Sequence, residues 1–379
     1  MDFGPTDRQR QLQERVYSLC AAFPASAEGE ASDALRAYPA DLHKGLCEEA
    51  ILGHCLPRAH GGGDGGFLDL ALIAETLGAH SNIGLNIYFV NMAVGTLLAR
   101  AGSADQRRKF LDPLIKGRFK GCFSLTEPNA GSDAAGIACE AVRDGDHYLL
   151  NGVKLWATGA AVADAILVVA RTDADAKASQ AMSMFMIPAG ADGLVVTPIE
   201  KLAGNAMASC ELTLQDVRVA ADARIGAENE AWSHLAYTGA MERLTVAAGN
   251  LGAAQAVFDL VAPFARDRRQ FGQPIASFQS IQHQLVDMAT EIEAMRWLVY
   301  STAWKHDQGE TCAKEISMAK LYTTERLNDI VMRGMRIFGG RAYRKGHAME
   351  RMLRESLLSL YAGGTSEIQR NVIARQLDF

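Results

Sequence analysis

The spacing of hydrophobic residues divides the chain into three parts. From about residue 5 to 118, apolar residues recur every three or four positions, as they do between Leu68 and Leu77, which is typical of helices. From about 120 to 225 the pattern changes to short β-branched runs that turn residues separate. From about 228 the helical period returns. Strands that follow one another without intervening helices favour a barrel or sandwich over a parallel nucleotide-binding sheet.

The predicted elements define an α+β fold with three domains. Cys210, Leu212 and Leu214 alternate with polar residues, and a period of two is expected of an antiparallel strand with one buried face. Further strands are predicted at Tyr148–Trp156, Ala165–Thr172, Met182–Ile187 and Leu194–Ile199. After a first long helix that begins near 228, helices are predicted at 278–307, 313–338 and 347–360. We expect an N-terminal helical domain at 1–118, a middle antiparallel β-domain at 119–227 and a C-terminal helical bundle at 228–379.

Composition and charge indicate a globular protein with a sizeable core. The 379 residues are 49% hydrophobic and 22% charged, which excludes disordered and collagen-like chains. The 38 Lys and Arg residues and 44 Asp and Glu residues give a net charge of -6, and no run of five like charges occurs. Nucleic acid is therefore not an expected partner.

One uncharged stretch has the length of a membrane span. It runs from Thr76 to Ala99 and contains three amide side chains, Asn82, Asn86 and Asn91. Since amides in hydrocarbon would lack hydrogen-bond partners, we expect a buried helix pair with a turn near 81–84 and no membrane span. The first residues contain charges and no long apolar segment, so a secretory signal is not expected and a cytoplasmic location is predicted.

Two common kinds of binding site find little support in the sequence. The seven cysteines are spread along the chain without a C-x-x-C pair, and the histidines show no H-x-x-x-H spacing, so we expect reduced thiols and no metal site. Gly61, Gly63 and Gly66 formally match G-x-G-x-x-G. Because no strand precedes them within a βαβ unit, a turn before a helix is the better interpretation.

Five segments carry residues suited to a cofactor with a flat ring and phosphates. Segment 123–133 combines hydroxyls with the backbone donors of a glycine-containing bend, and segment 154–158 offers a tryptophan that could lie against a conjugated ring. Segment 268–273, with Gln279, supplies basic and amide donors. Segments 336–340 and 361–369 add glycine-bearing loops between helices. Each alone is equally consistent with a surface turn, a core tryptophan or a helix cap.

In this order and spacing, the five segments resemble the acyl-CoA dehydrogenase family of flavoproteins, and the resemblance extends from about residue 5 to 379. It implies an N-terminal helical domain, a middle β-domain and a C-terminal four-helix bundle. It also implies FAD as cofactor, a homodimer or homotetramer, an acyl thioester on CoA or a carrier protein as substrate, and electron-transferring flavoprotein as electron acceptor. The reaction removes an α-proton and a β-hydride from the thioester.

The resemblance also assigns roles to individual residues. The implied cofactor-binding residues are Phe123, Leu125, Thr126, Gly131, Ser132, Trp156, Thr158, Arg268, Phe271, Gln279, Arg336, Gly339, Gly340, Thr365 and Glu367. The implied substrate-binding residues are Ser132, Arg243, Gly363 and Gly364. Arg336 stands where the family usually has glutamine, which places a fixed cation near the implied diphosphate.

The chain departs from the family at the catalytic base. Gly363 occupies the position where the family usually has its C-terminal glutamate, and a glycine cannot accept a proton. Glu242 lies in a Glu-Arg-Leu sequence like the one that carries the base in the isovaleryl-type branch, so we expect Glu242 to be the base. The backbone N–H of Gly363 would remain as a donor to the thioester oxygen. Ala240 replaces a frequent aspartate that contacts the pantetheine arm, which leaves CoA and carrier protein both open.

Several functions remain open on the sequence. The first is an FAD-dependent dehydrogenase that uses Glu242, or its reverse, an enoyl-thioester reductase. The second is a flavin-dependent oxygenase or desulfinase-like relative without the C-terminal base, and the third is a catalytically silent scaffold that keeps FAD. Branch relatives with a similar base and a C-terminal glycine act on short polar or cyclic acyl groups, including crotonobetainyl-CoA reductases and prolyl-carrier-protein dehydrogenases.

Overall fold

The computed structural model describes residues 5–23, 36–80, 82–177 and 180–379. The helices are α1 (Asp7–Ala22), α2 (Ala40–Glu48), α3 (Phe67–His80), α4 (Asn82–Ala101), α5 (Ala104–Gln106), α6 (Asp112–Ile115), α7 (Ala231–Asp267), α8 (Gln279–Asp307), α9 (Ala313–Phe338), α10 (Ala348–Ser356) and α11 (Ser366–Gln376). A π-helical turn, Arg107–Leu111, joins α5 to α6, and a 3-10 turn, Leu357–Leu360, follows α10.

All but the last two strands follow the N-terminal helices and precede α7, and the last two come directly after α7. They are β1 (Gly121–Ser124), β2 (Glu140–Asp144), β3 (His147–Thr158), β4 (Ala165–Arg171), β5 (Met182–Pro188), β6 (Leu194–Ile199), β7 (Ser209–Ala220), β8 (Arg224–Ile225), β9 (Arg269–Gln270) and β10 (Gln273–Pro274). By contact density the chain forms two units. The helical unit comprises Met1–Ala31, Gly66–Leu85 and Glu242–Phe379, and the sheet unit comprises Ser32–Gly65 and Asn86–Met241.

In the helical unit, polar side chains fix the start of α3. The Asp307 carboxylate, at the end of α8, accepts hydrogen bonds from the backbone N–H groups of Phe67 (2.6 Å) and Leu68 (2.9 Å). These N–H groups belong to the first turn of α3, where no carbonyl of the same helix can reach them. A carboxylate at this end also opposes the helix dipole favourably. Buried Asp69 accepts a hydrogen bond from Arg8 of α1 at 2.6 Å, which ties α1 to α3.

Helices α3 and α7 approach closely because glycines face each other. A Cβ placed on Gly252 would lie 1.8 Å from the carbonyl oxygen of Glu75, and one on Gly78 would lie 2.3 Å from that of Gly249. A side chain at either position would force the two backbones apart. This close approach fixes the position of α7, the helix that carries Glu242.

The main sheet of the sheet unit is mixed. Its strand order is β6-β7-β3-β2-β4-β5-β8, and β1 pairs with β4. Most pairs are antiparallel, as predicted, but β1 runs parallel to β4 from Gly121 to Ser124, and β2 meets β4 in a single parallel pair. Alternation of apolar and polar residues is the same in both arrangements, so the sequence pattern does not reveal these parallel pairs. The buried face is apolar and includes Tyr148, Phe185 and the thiol of Cys122.

The predicted elements agree closely with the observed ones. Strand β6 has the predicted bounds, and α9 covers the predicted 313–338. The last predicted helix is split, because the α-helix ends at Ser356 and continues as a 3-10 turn to Leu360. The predicted helix pair is present as α3 and α4, while Ser81 lies outside the described residues. The bounds of the three domains stay a prediction.

In the part of the chain that the structure describes, two helices, α4 and α7, are long and apolar enough to cross a membrane by length and composition alone. In their most apolar windows, 72% and 61% of the residues are buried, which is typical of core helices.

The glycine run at 61–66 follows a 3-10 turn, not a strand, and a Cβ on Gly62 would lie 2.1 Å from the carbonyl oxygen of Leu56. The seven cysteines, all among the described residues, are in the thiol form, and the described residues contain no group of three or more side chains that could hold a metal ion.

Candidate active site

The loop before α11 directs backbone position 363 at Glu242. Gly363 and Gly364 have φ angles of +69° and +86°, which favour glycine strongly. A Cβ on Gly363 would lie 3.6 Å from Cγ and 3.9 Å from Cδ of Glu242. A side chain at position 363 would therefore enter the space that the Glu242 carboxyl now occupies. Within the helical unit, one place for a carboxyl group can be reached from either of two backbone positions.

The surroundings of Glu242 favour its protonated form, with compensation. Loss of solvent raises the pKa of Glu242, while the cations of Arg243 and Lys320 and a hydrogen bond from the Gly363 backbone act in the opposite direction. Glu242 is partly buried, and a fraction of its surface remains accessible to solvent. A desolvated carboxyl that keeps an opening is suited to exchange a proton with a bound molecule.

Lys320 is the second charged group of this cluster, and its side chain is fully buried. Its Nζ donates to the carbonyl oxygens of Ser359 (2.9 Å) and Gly364 (2.7 Å). Burial lowers the pKa of Lys320 to about 8, and the charge of Glu242 acts against this decrease. Gln369, also fully buried, donates through Nε2 to the carbonyl oxygens of both glycines at 3.0 Å. The loop is thus held from two sides.

Arg243 follows Glu242 on α7 and is half-buried. Its Nε atom is buried and has no hydrogen-bond partner among the described residues. Loss of solvent lowers the pKa of Arg243, while neighbouring Glu242 raises it. The substrate-binding role of Arg243 stays a prediction.

In the sheet unit, a buried ion pair supports the segment that follows β1. Glu127 accepts hydrogen bonds from Lys154 Nζ (2.7 Å) and from the backbone N–H groups of Ala138 (2.6 Å) and Cys139 (2.9 Å). Both side chains of the pair are almost fully buried. Lys154 also donates to the carbonyl oxygen of Leu125 at 3.1 Å. The segment with the predicted residues Leu125 and Thr126 is therefore fixed to strand β3.

Strand β3 turns the Trp156 side chain outward. The pairing of β3 with β7 shifts register between Lys154 and Ala157, and Trp156 adopts a φ of +61°. Positive φ is unusual for a bulky residue, and a bulge redirects a side chain out of the regular alternation. The indole is 54% exposed. Thr158 follows at the end of the strand, where its hydroxyl lies 2.9 Å from that of Ser209.

The bend after β1 leaves its backbone open. Gly131 and Ser132 are exposed, and a Cβ on Gly131 would meet nothing within 4 Å. Phe123 is partly buried in β1, and the buried hydroxyl of Ser124 has no partner among the described residues. An open glycine backbone and an exposed indole in one unit fit a planar ring with a polar, phosphate-bearing chain.

The helical unit contains a separate aromatic and basic pocket. Its lining residues are Phe264, Arg268, Gln270, Ile275, Ile281, Ile337, Phe338, Gly340 and Arg341. The Phe264 and Phe338 rings stack with centroids 4.1 Å apart, and the Arg341 guanidinium lies 5.5 Å from the Phe264 ring. Gly339 and Gly340 again have no atom within 4 Å of a Cβ position. Aromatic faces, cations and open backbone are the groups that a nucleotide requires.

The predicted cofactor residues of the helical unit do not all lie in this pocket. Arg268 and Gly340 line it, whereas Gln279 and Arg336 are exposed beyond its lining. Phe271 is at the tip of the β9–β10 hairpin with a φ of +49°, and its ring is 94% exposed. Thr365 and Glu367 lie at the start of α11. There the Thr365 hydroxyl caps the helix by accepting from Ile368 N, and Glu367 is exposed.

Several residues of these sites were not predicted. Three of them, Phe338, Lys154 and Glu127, lie inside segments that the sequence analysis had identified. Their roles depend on tertiary contacts, which the spacing of residues in the sequence does not reveal. For Lys320 the sequence contains a signal, because it shares the buried phase of α9 with Ile316, Ala319 and Thr323. Phe264 and Arg341 carry no such signal.

Comparisons with known proteins agree with the predicted family. Models of the acyl-CoA dehydrogenase N-terminal, middle and C-terminal domains match residues 6–118, 122–217 and 232–377. A probable acyl-CoA dehydrogenase of Bacillus subtilis, YngJ, is 37% identical over the full length of both chains. The caffeyl-CoA reductase-Etf complex subunit CarC of Acetobacterium woodii is 34% identical over 90% of each chain. The mitochondrial isovaleryl-CoA dehydrogenase of Pongo abelii is 34% identical over 98% of this chain and 89% of its own.

Solved structures extend these similarities. Butyryl-CoA dehydrogenase of Megasphaera elsdenii superimposes with a TM-score of 0.95 at 30% identity over all of both chains. An FAD complex of PigA gives 0.94 at 28% identity, over 100% of this chain and 99% of its own. The prolyl acyl carrier protein oxidase AnaB gives 0.93 at 28% identity, over 99% and 100%. The predicted fold class and the prediction of FAD are thereby confirmed.

Proposed function

Because the chain belongs to the acyl-CoA dehydrogenase family of FAD-dependent oxidoreductases, we propose that it dehydrogenates an acyl thioester between the α- and β-carbons, with Glu242 as the base. The observation that carries this proposal is the direction of position 363. A Cβ at position 363, where the family usually has its base, would lie 3.9 Å from Cδ of Glu242, which supports the proposal that the Glu242 carboxyl takes the place of the missing side chain.

The residues around Glu242 support a proton transfer. An α-proton of a thioester is weakly acidic, and the best catalytic base has a pKa close to the working pH. Desolvation raises the pKa of Glu242 towards neutral pH, while the charges of Arg243 and Lys320 act to lower it and so stabilise the carboxylate form. The Gly363 N–H can donate a hydrogen bond to the Glu242 carboxylate or to the thioester oxygen, and it would stabilise negative charge that develops on either group.

The residues of both units fit FAD separately. In the sheet unit, Leu125, Thr126, Trp156 and Thr158 would hold the ring, and Gly131 and Ser132 would approach the phosphates. In the helical unit, Arg268, Gly339 and Gly340 would hold a nucleotide portion, together with Phe264 and Phe338. When bound, FAD supplies the hydride acceptor for the β-carbon. The exposed Phe271, at the hairpin tip, suits a contact with a second copy in the proposed homodimer or homotetramer.

A second candidate function is the reverse reaction, reduction of an enoyl thioester. The similarity to CarC favours it, since its name describes a reductase in a complex with Etf. A carboxyl with raised pKa can keep its proton near neutral pH and deliver it to the α-carbon. Electron-transferring flavoprotein is the proposed redox partner in both directions. CoA and a carrier protein are both proposed as thioester carriers, the latter because AnaB is named as a carrier-protein oxidase.

The deciding experiment is an anaerobic titration of the FAD-loaded protein. Short, branched and amino-acyl thioesters, on CoA and on a carrier protein, are added, and bleaching of the flavin band is followed. For the reverse direction, the flavin is first reduced and enoyl thioesters are tested for reoxidation. We expect one class to react, and Glu242→Gln to slow that reaction about 100-fold or more at unchanged FAD content.

Exposed Glu230 provides a matched control, because Glu230→Gln removes a carboxylate just before the same helix. It should react like the wild type. A Glu242→Gln protein with the wild-type rate would refute the assignment of the base. If no thioester reacts in either direction, rapid oxidation of the reduced protein by oxygen would point to an oxygenase, and its absence to a silent FAD scaffold.

A further inference from the structure

A buried lysine lies under the loop that carries Gly363. Lys320 has no exposed side-chain surface, and its two hydrogen-bond acceptors, the carbonyl oxygens of Ser359 and Gly364, carry no full charge. Burial of a cation without a directly bonded carboxylate is costly, and lysine is among the residues least often fully buried. A methionine or leucine would fill the space at lower cost. This lysine therefore has a role beyond packing.

The hydrogen bonds of Lys320 fix the carbonyl side of the loop. Two successive residues with positive φ turn the chain sharply, and Lys320 and Gln369 both donate to the Gly364 oxygen. Lys320 also reaches the Ser359 oxygen at 2.9 Å, while the Thr324 hydroxyl is farther away at 3.4 Å. Without Lys320, the Ser359 oxygen would depend on this weak contact. The intervening Gly363 lies against Glu242, since a Cβ at this position would be 3.6 Å from Glu242 Cγ, and a backbone hydrogen bond from Gly363 acts to lower the pKa of Glu242.

Charged groups of two further helices act on the Lys320 ammonium. Glu242 and Arg243 act from α7, and Glu367 acts from α11. The two glutamates attract the cation and the arginine repels it. Since the interaction between two charges is mutual, Lys320 stabilises the carboxylate form of Glu242.

We propose that Lys320 is a positioning residue for Glu242: it holds the 359–364 turn so that the Gly363 N–H faces the carboxyl, and it adds a buried cation next to that carboxyl. Its effect on turnover rests on the function proposed above. Its effect on the carboxyl of Glu242 requires no substrate, so the two ideas can fail independently.

The first test measures the carboxyl group itself. Infrared difference spectra of the FAD-loaded protein are recorded against pH, and the C=O stretch that disappears in Glu242→Gln is assigned to Glu242. In Lys320→Met we expect the pKa of Glu242 to rise by about 1, a tenfold change in its acid dissociation constant, because an opposite charge is lost. Lys320→Arg, which keeps the charge, should restore part of the difference.

Lys314 provides the matched control, because it lies on the same helix with a partly exposed side chain and pairs with Glu315. Lys314→Met should leave the Glu242 pKa unchanged. If Lys320→Met does not fold, Lys320→Gln keeps an N–H donor without the charge and must give the same rise. A folded, FAD-loaded Lys320→Met or Lys320→Gln protein with a wild-type Glu242 pKa would overturn the proposal.

The second test measures flavin reduction by the thioester that reacts with the wild type. A base displaced by a fraction of an ångström slows the chemical step, so Lys320→Met should lower the limiting rate about 10- to 100-fold with little change in KM. A lower rate with an unchanged Glu242 pKa would indicate a purely structural role and contradict the proposal. If no thioester reacts with the wild type, the proposed function fails, and the infrared titration still decides the role of Lys320.

Discussion

The buried pair of Glu127 and Lys154 predicts two very different losses of stability for its two partners. Lys154→Met removes the cation but leaves Glu127 with two backbone donors, the N–H groups of Ala138 and Cys139. Glu127→Leu leaves the ammonium with the Leu125 carbonyl oxygen and also removes the acceptor of both N–H groups. The glutamate variant therefore leaves two N–H groups without their acceptor and the ammonium with one hydrogen bond. The lysine variant leaves the Leu125 carbonyl oxygen without this donor, while the Glu127 carboxylate keeps two hydrogen bonds.

The size of the difference follows from these unsatisfied groups. Removal of one partner of a buried ion pair costs about 3–5 kcal/mol, and we expect Lys154→Met near the lower end because Glu127 stays solvated by backbone. Cys139 is buried, and its N–H without an acceptor costs roughly 1–3 kcal/mol more, whereas Ala138 is exposed and its N–H can bind water. Glu127→Leu should thus exceed Lys154→Met by about 2 kcal/mol. Arg218→Met, which breaks an exposed pair with Asp144 in the same unit, should cost less than about 1 kcal/mol.

Urea unfolding gives the free energies, and amide hydrogen exchange gives a local measurement that global unfolding does not. Peptides that contain Ala138 and Cys139 should exchange much faster in Glu127→Leu and keep most of their protection in Lys154→Met. Equal losses of stability in the two variants would contradict the reasoning. So would unchanged protection of the Cys139 amide in Glu127→Leu, because that amide would then have another acceptor.

Three further predictions concern the helical unit. The folded state lowers the pKa of Lys320 from 10.5 to about 8, so the unfolded chain binds more protons between these pH values. The free energy of unfolding should therefore rise by about 3 kcal/mol from pH 8 to 10.5 relative to Lys320→Met, as measured by urea unfolding across pH. Asp307→Ala removes the acceptor of the first two N–H groups of α3 and should lower the free energy of unfolding by about 1–2 kcal/mol, and Asp307→Asn should lower it by less. Hydrogen exchange should become faster at the start of α3; a larger increase elsewhere in the chain would contradict this prediction. Gly252→Ala places a methyl group 1.8 Å from the carbonyl oxygen of Glu75 and should lower the free energy of unfolding by about 3 kcal/mol or more, as measured by thermal unfolding. Gly190→Ala, which has open space around it, should change this free energy by less than about 0.5 kcal/mol. Similar effects of the two substitutions would exclude the close contact between α3 and α7.

The elements of the fold were predictable because their periods are clear. The alternation around Leu212 gives β7, and the apolar spacing gives α9 with its observed bounds. The parallel pairing of β1 with β4 was not predictable, since parallel and antiparallel strands share one period. The outward turn of Trp156 depends on a bulge whose register only the partner strand fixes.

For the candidate site, the sequence and the resemblance give different parts. Glu242 and Gly363 are 121 positions apart, and only the resemblance relates them, because no periodicity spans such a separation. Lys320 was missed since a lysine is expected at a surface, although its phase on α9 is that of buried residues. The stacked rings of Phe264 and Phe338 depend on the packing of two helices, which neither source predicts.

The shared space of Glu242 and a side chain at position 363 bears on how such proteins evolve. A lineage that acquires a glutamate at 363 before it loses the one at 242 would hold two carboxyls close together, one of which keeps a proton because of like-charge repulsion. The other could still ionise, so an ancestor with both residues need not pass through an inactive form. The position of the base in the sequence would then be a poor guide to ancestry. Two closely related proteins could carry the base at different positions in the sequence and still place it at the same point in space.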